Sequence, residues 1–462
     1  MKVLLVVYDN ASYIHTFPQG TAYIAAVLQK EGHQVSIYNQ DVYHYPDEHL
    51  TGYLNENKFD LVGLGIIAGY YQYRKLLAIS RAINKSKNRP LYILGGHGPS
   101  PEPEYFLKKT RADIVVIGEG EETIVELLRA KVKGSSLKPV KGIAFRQGEK
   151  VTVNERRLLI ADVDSLPYPA YDLFPIEYYR LIREMHSTNS DFVMPVLSGR
   201  GCPFHCNFCY RMDEGFRPRK IEAIIDEIEL LKRKYLINYI GFSDELLMSS
   251  VQRTEDICRA FIKAKLNIKW YCNGRLNYAK PGLLKLMKQA GCAFINYGIE
   301  AVDDEVLKNM RKVLTVRQIT EGIENTLKAK ISPGFNIIFG NIGDNKKTLK
   351  RGVEFLLKYD DAAQMRTIRP VTPYPGSPLY YYAIEKGLLR DCEDFYENKH
   401  LNSDLLAVNF TDLSDEEFHC SLMRANMRLL KNYFRKKLLS VTWQCEDLYL
   451  NRNINFRGFR KV

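Results

Sequence analysis

An alternation of short buried strands with amphipathic helices runs along this chain twice, and it restricts the possible folds more than any other feature. In the first series, strand 2–7 precedes a helix at 20–31, and later strands end in glycines, as at Gly95–Gly98 and Gly118–Gly120. Such alternation predicts a doubly wound parallel sheet, which binds ligands at the carboxyl ends of its strands.

A second alternating series follows, with helices between its strands, for example at 221–234. We expect its strands near 192–198, 239–243, 269–272, 294–299, 334–339 and 365–370. Six strand–helix units are fewer than the eight of a closed barrel. They predict a partial (βα)6 barrel with its site at the carboxyl ends of the strands.

The domain boundaries follow from these two series. Residues 1–150 form the predicted Rossmann-like domain, and the proline-containing stretch within 151–185 is the predicted linker. Residues 186–380 form the partial barrel. Residues 381–462 are helical by pattern, and we expect them to pack over the barrel mouth.

Composition narrows the class of protein. The 462 residues are 45% hydrophobic and 26% charged, as in a soluble globular protein, and no apolar run is long enough to span a bilayer. We find no signal peptide, and nine scattered cysteines, an odd number, argue against a disulfide framework. These features lead us to expect a cytoplasmic protein.

Most of the net charge of +12 comes from the C-terminal end, where ten basic and two acidic residues follow residue 422. Such a patch can bind nucleic acid, an anionic membrane surface or an acidic protein, or it can simply be a solvated helix face. The sequence contains no RNA-binding motif. We therefore expect no nucleic-acid partner and at most a peripheral membrane contact.

Three cysteines lie just after the first strand of the second series, at Cys-x3-Cys-x2-Cys spacing: Cys202, Cys206 and Cys209. Three thiolates can bind three irons of a 4Fe-4S cluster and leave the fourth iron open to a substrate or cosubstrate. A zinc site with His205 or a distant cysteine as fourth ligand is the alternative. Structural zinc usually shows two Cys-x2-Cys pairs, and this stretch has one.

The triplet resembles the cluster motif of the radical S-adenosylmethionine (radical SAM) superfamily, and the N-terminal region resembles cobalamin-binding domains. Taken together, nearly the whole chain resembles the cobalamin-dependent radical SAM family. The segments that carry the resemblance are Pro18–Leu28, Gly95–Pro99, Gly118–Thr123, Phe242–Glu245, Gly298–Glu300 and Pro373–Leu379. The resemblance implies three cofactors: a 4Fe-4S cluster, S-adenosylmethionine chelated by its open iron, and cobalamin.

The resemblance also implies positions for S-adenosylmethionine at the strand ends. An acidic motif after the second barrel strand would hold the methionyl amino group, although its usual glycines are absent here, and an arginine after the third would pair with the carboxylate. Helix caps and structural salt bridges remain alternative roles. The implied residues are Phe208, Tyr210, Ser243, Asp244, Glu245, Asn273, Arg275, Glu300 and Asn336.

For cobalamin, the resemblance implies Gln19, Gly20, Ile67, Ala68, Gly95, Gly96, His97, Gly98, Glu119 and Gly120. The chain lacks Asp-x-His-x-x-Gly, the motif that supplies an axial histidine in some cobalamin proteins, since Asp41-x-x-His44 does not match it. We therefore interpret His97 as a residue that lines the pocket. A nucleotide is a weaker alternative ligand, because no Gly-x-Gly-x-x-Gly follows the first strand.

The family resemblance implies a methyltransferase that acts on an unactivated carbon, using a 5′-deoxyadenosyl radical and methylcobalamin. Three alternatives stay open: a cobalamin-dependent rearrangement or cyclisation without methylation, a radical SAM enzyme without cobalamin, and a non-catalytic iron-sulfur or zinc module. The implied partners are a small-molecule or natural-product substrate and a ferredoxin- or flavodoxin-type electron donor. The sequence does not identify the substrate.

Overall fold

The computed structural model describes residues 1–10, 16–184, 186–212 and 215–455. Its N-terminal domain is built on a seven-stranded sheet of order β2-β1-β3-β4-β5-β6-β7. The strands are β1 (Lys2–Val7), β2 (Gln34–Asn39), β3 (Leu61–Gly65), β4 (Leu91–Gly95), β5 (Ile114–Val116), β6 (Ile143–Gln147) and β7 (Lys150–Val153). The first five are parallel, which confirms the doubly wound arrangement.

Helices cover both faces of this sheet because the residues of its strands alternate between two apolar layers. Val3 and Leu5 of β1 face one layer, whereas Leu4 and Val6 face the other. The first layer contains α1 (Gln19–Lys30) and α6 (Glu121–Val132). The second contains α3 (His49–Glu56), α4 (Tyr70–Lys85) and α5 (Pro103–Thr110), and the single turn α2 (Gln40–Tyr43) follows β2.

The antiparallel hairpin of β6 and β7 was not predicted. Gln147 pairs with Lys150, so the connection is the two-residue loop Gly148–Glu149. Gly148 has φ +63°, as the first position of a type II′ turn requires. The signal was present in the sequence as a glycine at the start of a two-residue loop between strand-forming residues.

The second domain contains a six-stranded parallel sheet of order β15-β14-β13-β12-β11-β8, which confirms the partial barrel. Its strands are β8 (Val193–Val196), β11 (Tyr239–Phe242), β12 (Lys269–Gly274), β13 (Cys292–Glu300), β14 (Ser332–Phe339) and β15 (Arg369–Pro370). A small antiparallel pair, β9 (Gly199–Arg200) and β10 (Arg217–Pro218), brackets the cysteine loop. The last strand is shorter than the expected 365–370.

The helices of the barrel lie between its strands, and short turns join the domains. The helices are α8 (Ile221–Tyr235), α9 (Val251–Lys263), α10 (Pro281–Gln289), α11 (Asp304–Asn309), α12 (Val316–Lys328) and α13 (Lys346–Tyr359). The linker contains 3-10 turns at Val163–Ser165 and Tyr171–Leu173 and the single turn α7 (Ile176–Tyr179), and another 3-10 turn lies at Leu276–Tyr278.

The C-terminal region is helical, as predicted, but its expected position over the barrel mouth is wrong. It comprises α14 (Pro378–Glu385), α15 (Cys392–Asp394), a π turn at Phe395–Lys399, and the long α16 (Asp415–Tyr449). Tyr380, Phe395 and Tyr396 join the core of the N-terminal domain, whereas α16 packs on the barrel beside α13. The basic residues Arg457, Arg460 and Lys461 lie outside the described residues.

Candidate active site

The three cysteines of the triplet line one cavity of about 280 Å³ at the carboxyl ends of the barrel strands. The loops and strands β11 to β14 each contribute a polar side chain to the wall, and the N-terminal domain contributes His97. The residues expected at S-adenosylmethionine that line this cavity are Phe208, Tyr210, Glu245, Asn273, Arg275, Glu300 and Asn336. The topology therefore brings most of the predicted residues to the same space.

The chemistry of the three thiols fits a cluster. Desolvation raises the pKa of both Cys206 and Cys209 above the usual thiol value, and the neighbouring thiols raise it further. Three thiolates in one cavity wall therefore need cationic ligands in order to stay deprotonated. Among the described residues, no three His, Cys, Asp or Glu side chains are close enough to hold a single ion.

Asn207, inside the triplet, fixes the cysteine loop to the barrel. Its amide nitrogen donates to the carbonyl oxygen of Asn309 (3.0 Å), its side chain pairs with that of Asn341, and its backbone N–H donates to Met310. The carbonyl of Asn207 also accepts from the N–H of Leu379. Asn207 is 6% exposed, and the sequence analysis did not select it because an asparagine between two cysteine ligands carries no distinctive pattern.

The Pro373–Leu379 segment contacts the other side of the cysteine loop. Gly376 has φ +89°, and a Cβ there would lie 2.5 Å from the Tyr210 ring and 2.7 Å from Pro101. Only glycine permits this backbone conformation and this approach at once. The segment thus joins the cysteine loop to the strand tips of the N-terminal domain.

The acidic pair after β11 has two different environments. Asp244 is fully buried and accepts from the backbone N–H groups of Ser198 and Gly199 (2.9 and 2.5 Å), and burial raises the pKa of its carboxyl to about 7. Its position differs from the expectation, because its oxygens hold the start of the cysteine loop rather than face the cavity. Glu245 lines the cavity and accepts from the N–H of Gly201 (3.0 Å).

Ser243 also lies outside the cavity lining. Its hydroxyl donates to the side-chain oxygen of Gln19 at 2.6 Å, and the amide nitrogen of Gln19 donates to the carbonyl of Pro195. Two residues expected at different cofactors therefore contact each other across the domain boundary.

A cationic wall closes one side of the cavity. Lys312 forms an ion pair with Glu300 (Nζ to Oε1, 2.9 Å), and both residues are less than one-tenth exposed. Burial lowers the pKa of Lys312, but Glu300 and the Cys206 thiol outweigh burial and raise it overall. Glu300 has φ +66°, at an irregularity in the β13–β14 register.

Arg275 lines the same side of the cavity and supports the segment that carries Lys312. One of its terminal nitrogens donates to the carbonyls of Lys312 and Val313, and its guanidinium stacks on the Phe204 ring at 3.4 Å. The guanidinium thus positions the segment that carries Lys312. Sequence analysis selected Arg275 and missed Lys312, because no sequence pattern distinguishes this lysine and a loop after α11 brings it to the strand ends.

Three asparagines on neighbouring strands form a hydrogen-bonded row across the cavity. Asn336 donates to Asn296 at 2.8 Å, Asn296 donates to Asn273 at 3.0 Å, and Asn273 donates to the carbonyl of Asp244 at 2.8 Å. Asn296 was not predicted, although it is a polar residue within a largely apolar strand. The row offers amide groups to the ribose or amino acid part of a ligand.

The strand tips of the N-terminal domain form the side of the cavity that faces the barrel. Ile67, two residues after the end of β3, is 53% exposed, and the His97 ring lies 6.2 Å from the Tyr210 ring. Gly96 has φ +94°, and a Cβ there would lie 2.5 Å from the carbonyl oxygen of Ile66, so the loops after β3 and β4 touch. An exposed apolar side chain beside bare backbone fits the face of a large planar cofactor such as cobalamin. Four more expected residues, Gly20, Ala68, Gly95 and Gly98, lie at this edge.

The position of Glu119 differs from the expected contact with cobalamin. Its carboxylate accepts from Arg200 (2.8 Å), Arg217 (2.9 Å) and the N–H of Ile160 (2.7 Å). Desolvation raises the pKa of Glu119, but the arginines outweigh it and lower the pKa overall. Both oxygens are thus occupied by a contact between the domains, and Gly120 lies beside Ile24 rather than open space.

Comparison with known proteins agrees with this two-domain site. Residues 6–128 match the model of the B12 binding domain, and residues 196–356 match that of the radical SAM superfamily. The uncharacterized methyltransferase PH0819 of Pyrococcus horikoshii is 30% identical over 401 residues, 84% of each chain. The anaerobic magnesium-protoporphyrin IX monomethyl ester cyclase of Cereibacter sphaeroides is 27% identical over 442 residues, 92% of this chain and 68% of the cyclase.

Among solved structures, the radical S-adenosylmethionine methyltransferase TsrM from Kitasatospora setae, with cobalamin and a [4Fe-4S] cluster bound, superposes with a TM-score of 0.74. It is 16% identical, and the match covers 93% of this chain and 88% of TsrM. At that identity the likeness concerns the fold.

Proposed function

The chain belongs to the cobalamin-dependent radical SAM enzymes, and from that premise we propose that it transfers a methyl group to an unactivated carbon of a small molecule. The observation that carries the proposal is the shared cavity. Cysteine thiols line it from the barrel, and His97 lines it from the strand tips of the N-terminal domain. Two cofactors held on these two walls would face one substrate space, which is the arrangement that methyl transfer between them needs.

We assign the cluster to Cys202, Cys206 and Cys209, and cobalamin to the strand tips around Ile67 and His97. When bound, the cluster supplies the electron that cleaves S-adenosylmethionine, and cobalamin carries the methyl group. The protein's own residues orient S-adenosylmethionine and enclose the substrate space. Rigid, buried supports behind each wall keep the reacting groups in register and exclude water.

The charged side chains of the cavity orient S-adenosylmethionine. Glu245 and Glu300 offer carboxylates to its amino group, and Lys312 offers an ammonium to its carboxylate. The row Asn273, Asn296 and Asn336 offers hydrogen bonds to the ribose. Phe208 and Tyr210 shield the cluster side of the cavity.

Methylation is favoured over the non-methylating alternative by the 30% identical relative, whose name is that of a methyltransferase. The cyclase at 27% identity keeps cyclisation as the second candidate. An acidic ferredoxin or flavodoxin is the electron donor that a low-potential cluster needs.

Product analysis tests the proposal. Anaerobically reconstituted protein, supplied with cobalamin, S-adenosylmethionine and reductant, should form 5′-deoxyadenosine together with S-adenosylhomocysteine, and both are measured by mass spectrometry. Only methyl transfer forms both products, so 5′-deoxyadenosine alone would favour a rearrangement or cyclisation. Cys206→Ser is the matched control and should abolish both products. A preparation that binds no corrinoid, judged by its visible spectrum, would contradict the assignment of the N-terminal domain.

A further inference from the structure

The backbone on both sides of Lys312 is strained. Residues 309–313, the lysine segment, begin at the last residue of α11 and carry Lys312. Arg311 and Val313 have φ +54° and +53°, a left-handed conformation that a β-branched residue avoids because its Cβ crowds the following carbonyl. The Val313 side chain is 72% exposed, so its own packing does not offset the strain. Such a conformation persists only where the surrounding structure holds it.

Two buried side chains hold the lysine segment, one at each end. At its beginning, Asn207 donates from its side-chain amide to the carbonyl of Asn309 (3.0 Å) and from its backbone N–H to the carbonyl of Met310 (2.9 Å). At its end, the Arg275 guanidinium donates to the last two carbonyls. Asn207 is 6% exposed and Arg275 is 5% exposed, so neither side chain is free to move away. Both left-handed residues lie within the stretch that these contacts hold.

The first of these contacts joins the lysine segment to the cysteine loop. Asn207 lies between Cys206 and Cys209 in the sequence, and Met310, which it contacts, precedes Lys312 by two residues. The Lys312 ammonium and both thiols line the same cavity. A change in the contacts of Asn207 would therefore move the ammonium relative to the cluster ligands.

We propose that Asn207 is a positioning residue for S-adenosylmethionine, because it holds the lysine segment in the conformation that presents Lys312 to the carboxylate of this ligand. The inference rests on the proposed function, in which Lys312 binds that carboxylate. Asn207 itself does not line the cavity, so it acts through Lys312. Without its contact to Asn309, the strained backbone relaxes and the ammonium leaves its place beside Glu300.

A double-mutant cycle tests this coupling in anaerobically reconstituted proteins of equal iron content. Asn207→Ala should raise the dissociation constant for S-adenosylmethionine by at least about fivefold, since a hydrogen bond that positions a charge is lost. In a Lys312→Met background the same change should raise it by less than about twofold, because the residue through which Asn207 acts is already gone. The matched control is Asn426→Ala on α16, which removes an amide paired with the backbone of Ile368 and should leave the affinity unchanged.

A rescue variant tests the role of the strained backbone. Asparagine adopts the left-handed conformation more readily than valine, so Val313→Asn reduces the need for a residue that holds the segment. In the Asn207→Ala chain, Val313→Asn should recover the affinity by at least about threefold, which is more than it changes the affinity of the wild type. In the wild type it should raise the melting temperature by about 2–4 °C, because strain is removed.

Two outcomes would overturn the inference. One is an effect of Asn207→Ala that has the same size in both backgrounds, which would confine Asn207 to holding the cysteine loop. The other is no recovery of affinity with Val313→Asn. If Asn207→Ala does not fold or retains less iron, Asn207→Ser takes its place in the cycle. Wild-type protein that retains its cluster but binds no S-adenosylmethionine would overturn the proposed function as well, whereas the first two outcomes leave that function standing.

Discussion

Among single residues, Lys312 carries the most informative contact in the cavity. It is the partner of Glu300 in a pair that water barely reaches, and its backbone is held by Arg275. Breaking a buried pair costs more than breaking an exposed one, because the remaining charge stays desolvated. The pair therefore affects both stability and the electrostatics that S-adenosylmethionine would meet.

We expect Lys312→Met to lower the free energy of unfolding by about 3–5 kcal/mol, since Glu300 is left buried and unpaired. The dissociation constant for S-adenosylmethionine should rise at least tenfold. Urea unfolding and a binding titration measure the two effects. Adding Glu300→Gln should restore most of the stability but not the affinity, and recovery of both would show that Lys312 acts only through the fold. Lys308→Met, in an exposed pair with Glu305, is the control.

The sequence predicts those site residues whose spacing, or whose position after a strand, is itself a recognisable pattern. Cys202, Cys206 and Cys209 line one wall because their spacing keeps them on one loop, and Glu245 and Asn273 follow strands whose ends meet. Lys312, Asn207 and Asn296 were missed because nothing local marks them. They reach the cavity through register and through loops that return over the sheet, which only the tertiary fold determines.

The ion-pair network around Glu119 is the main connection between the elements of the N-terminal domain and those of the barrel. Arg200 and Arg217 lie on the paired strands β9 and β10, and Arg200 also contacts Glu121 at the start of α6 (2.6 Å). Arg200 precedes Cys202 by two residues. The loop after β5 of the N-terminal domain thus holds the base of the cysteine loop in the barrel.

Glu119→Gln should lower the free energy of unfolding by about 3–5 kcal/mol and reduce iron retention, because Arg200 and Arg217 both lose their buried ion pair with Glu119. The lowered pKa of Glu119 gives the effect a pH dependence. Stability from a lowered carboxyl pKa is present above the ordinary value of about 4.5 and is lost as pH falls through the folded value. The difference between wild type and variant, measured by urea unfolding, should therefore shrink below about pH 4.5.

The control for Glu119 is Glu155→Gln, which removes an ion pair to Lys141 whose side chains are both at least half exposed. Its effect should stay below about 1 kcal/mol. Equal losses in the two variants would contradict the role of the network. The sequence placed the Gly118–Gly120 loop at a strand end correctly, but its Glu119 was interpreted as a cofactor contact because the arginines come from a distant part of the chain.

In the whole molecule, the C-terminal region divides its packing between the two domains. The Tyr396 ring stacks on Tyr73 of α4 with centroids 4.5 Å apart, and the Tyr73 hydroxyl donates to Glu397. Farther along, the Phe418 ring stacks on Phe339 of β14 at 4.8 Å. Helical periodicity predicted the helices of this region, but it cannot say which core an apolar face joins. Hence the expectation that the region covers the barrel mouth was wrong.

Two truncations test this division. A chain that ends after Lys437 keeps Phe418, Leu422 and Leu429, so its melting temperature should stay within a few degrees of the full-length value. A chain that ends after Leu379 loses Tyr380, Phe395 and Tyr396 from the N-terminal core. Removing each buried aromatic side chain costs about 3–5 kcal/mol, and together these losses approach the whole stability of a typical domain, about 5–15 kcal/mol.

We therefore expect the chain that ends after Leu379 to be insoluble, or to lose cooperative unfolding of the N-terminal domain as followed by circular dichroism. The Lys437 truncation serves as its control, because it removes an exposed segment of the same C-terminal region. A soluble 1–379 chain with an unchanged unfolding transition would mean that residues 380–408 only rest on the N-terminal domain. The loss expected here follows from burial alone, since Tyr380, Phe395 and Tyr396 are each no more than 3% exposed.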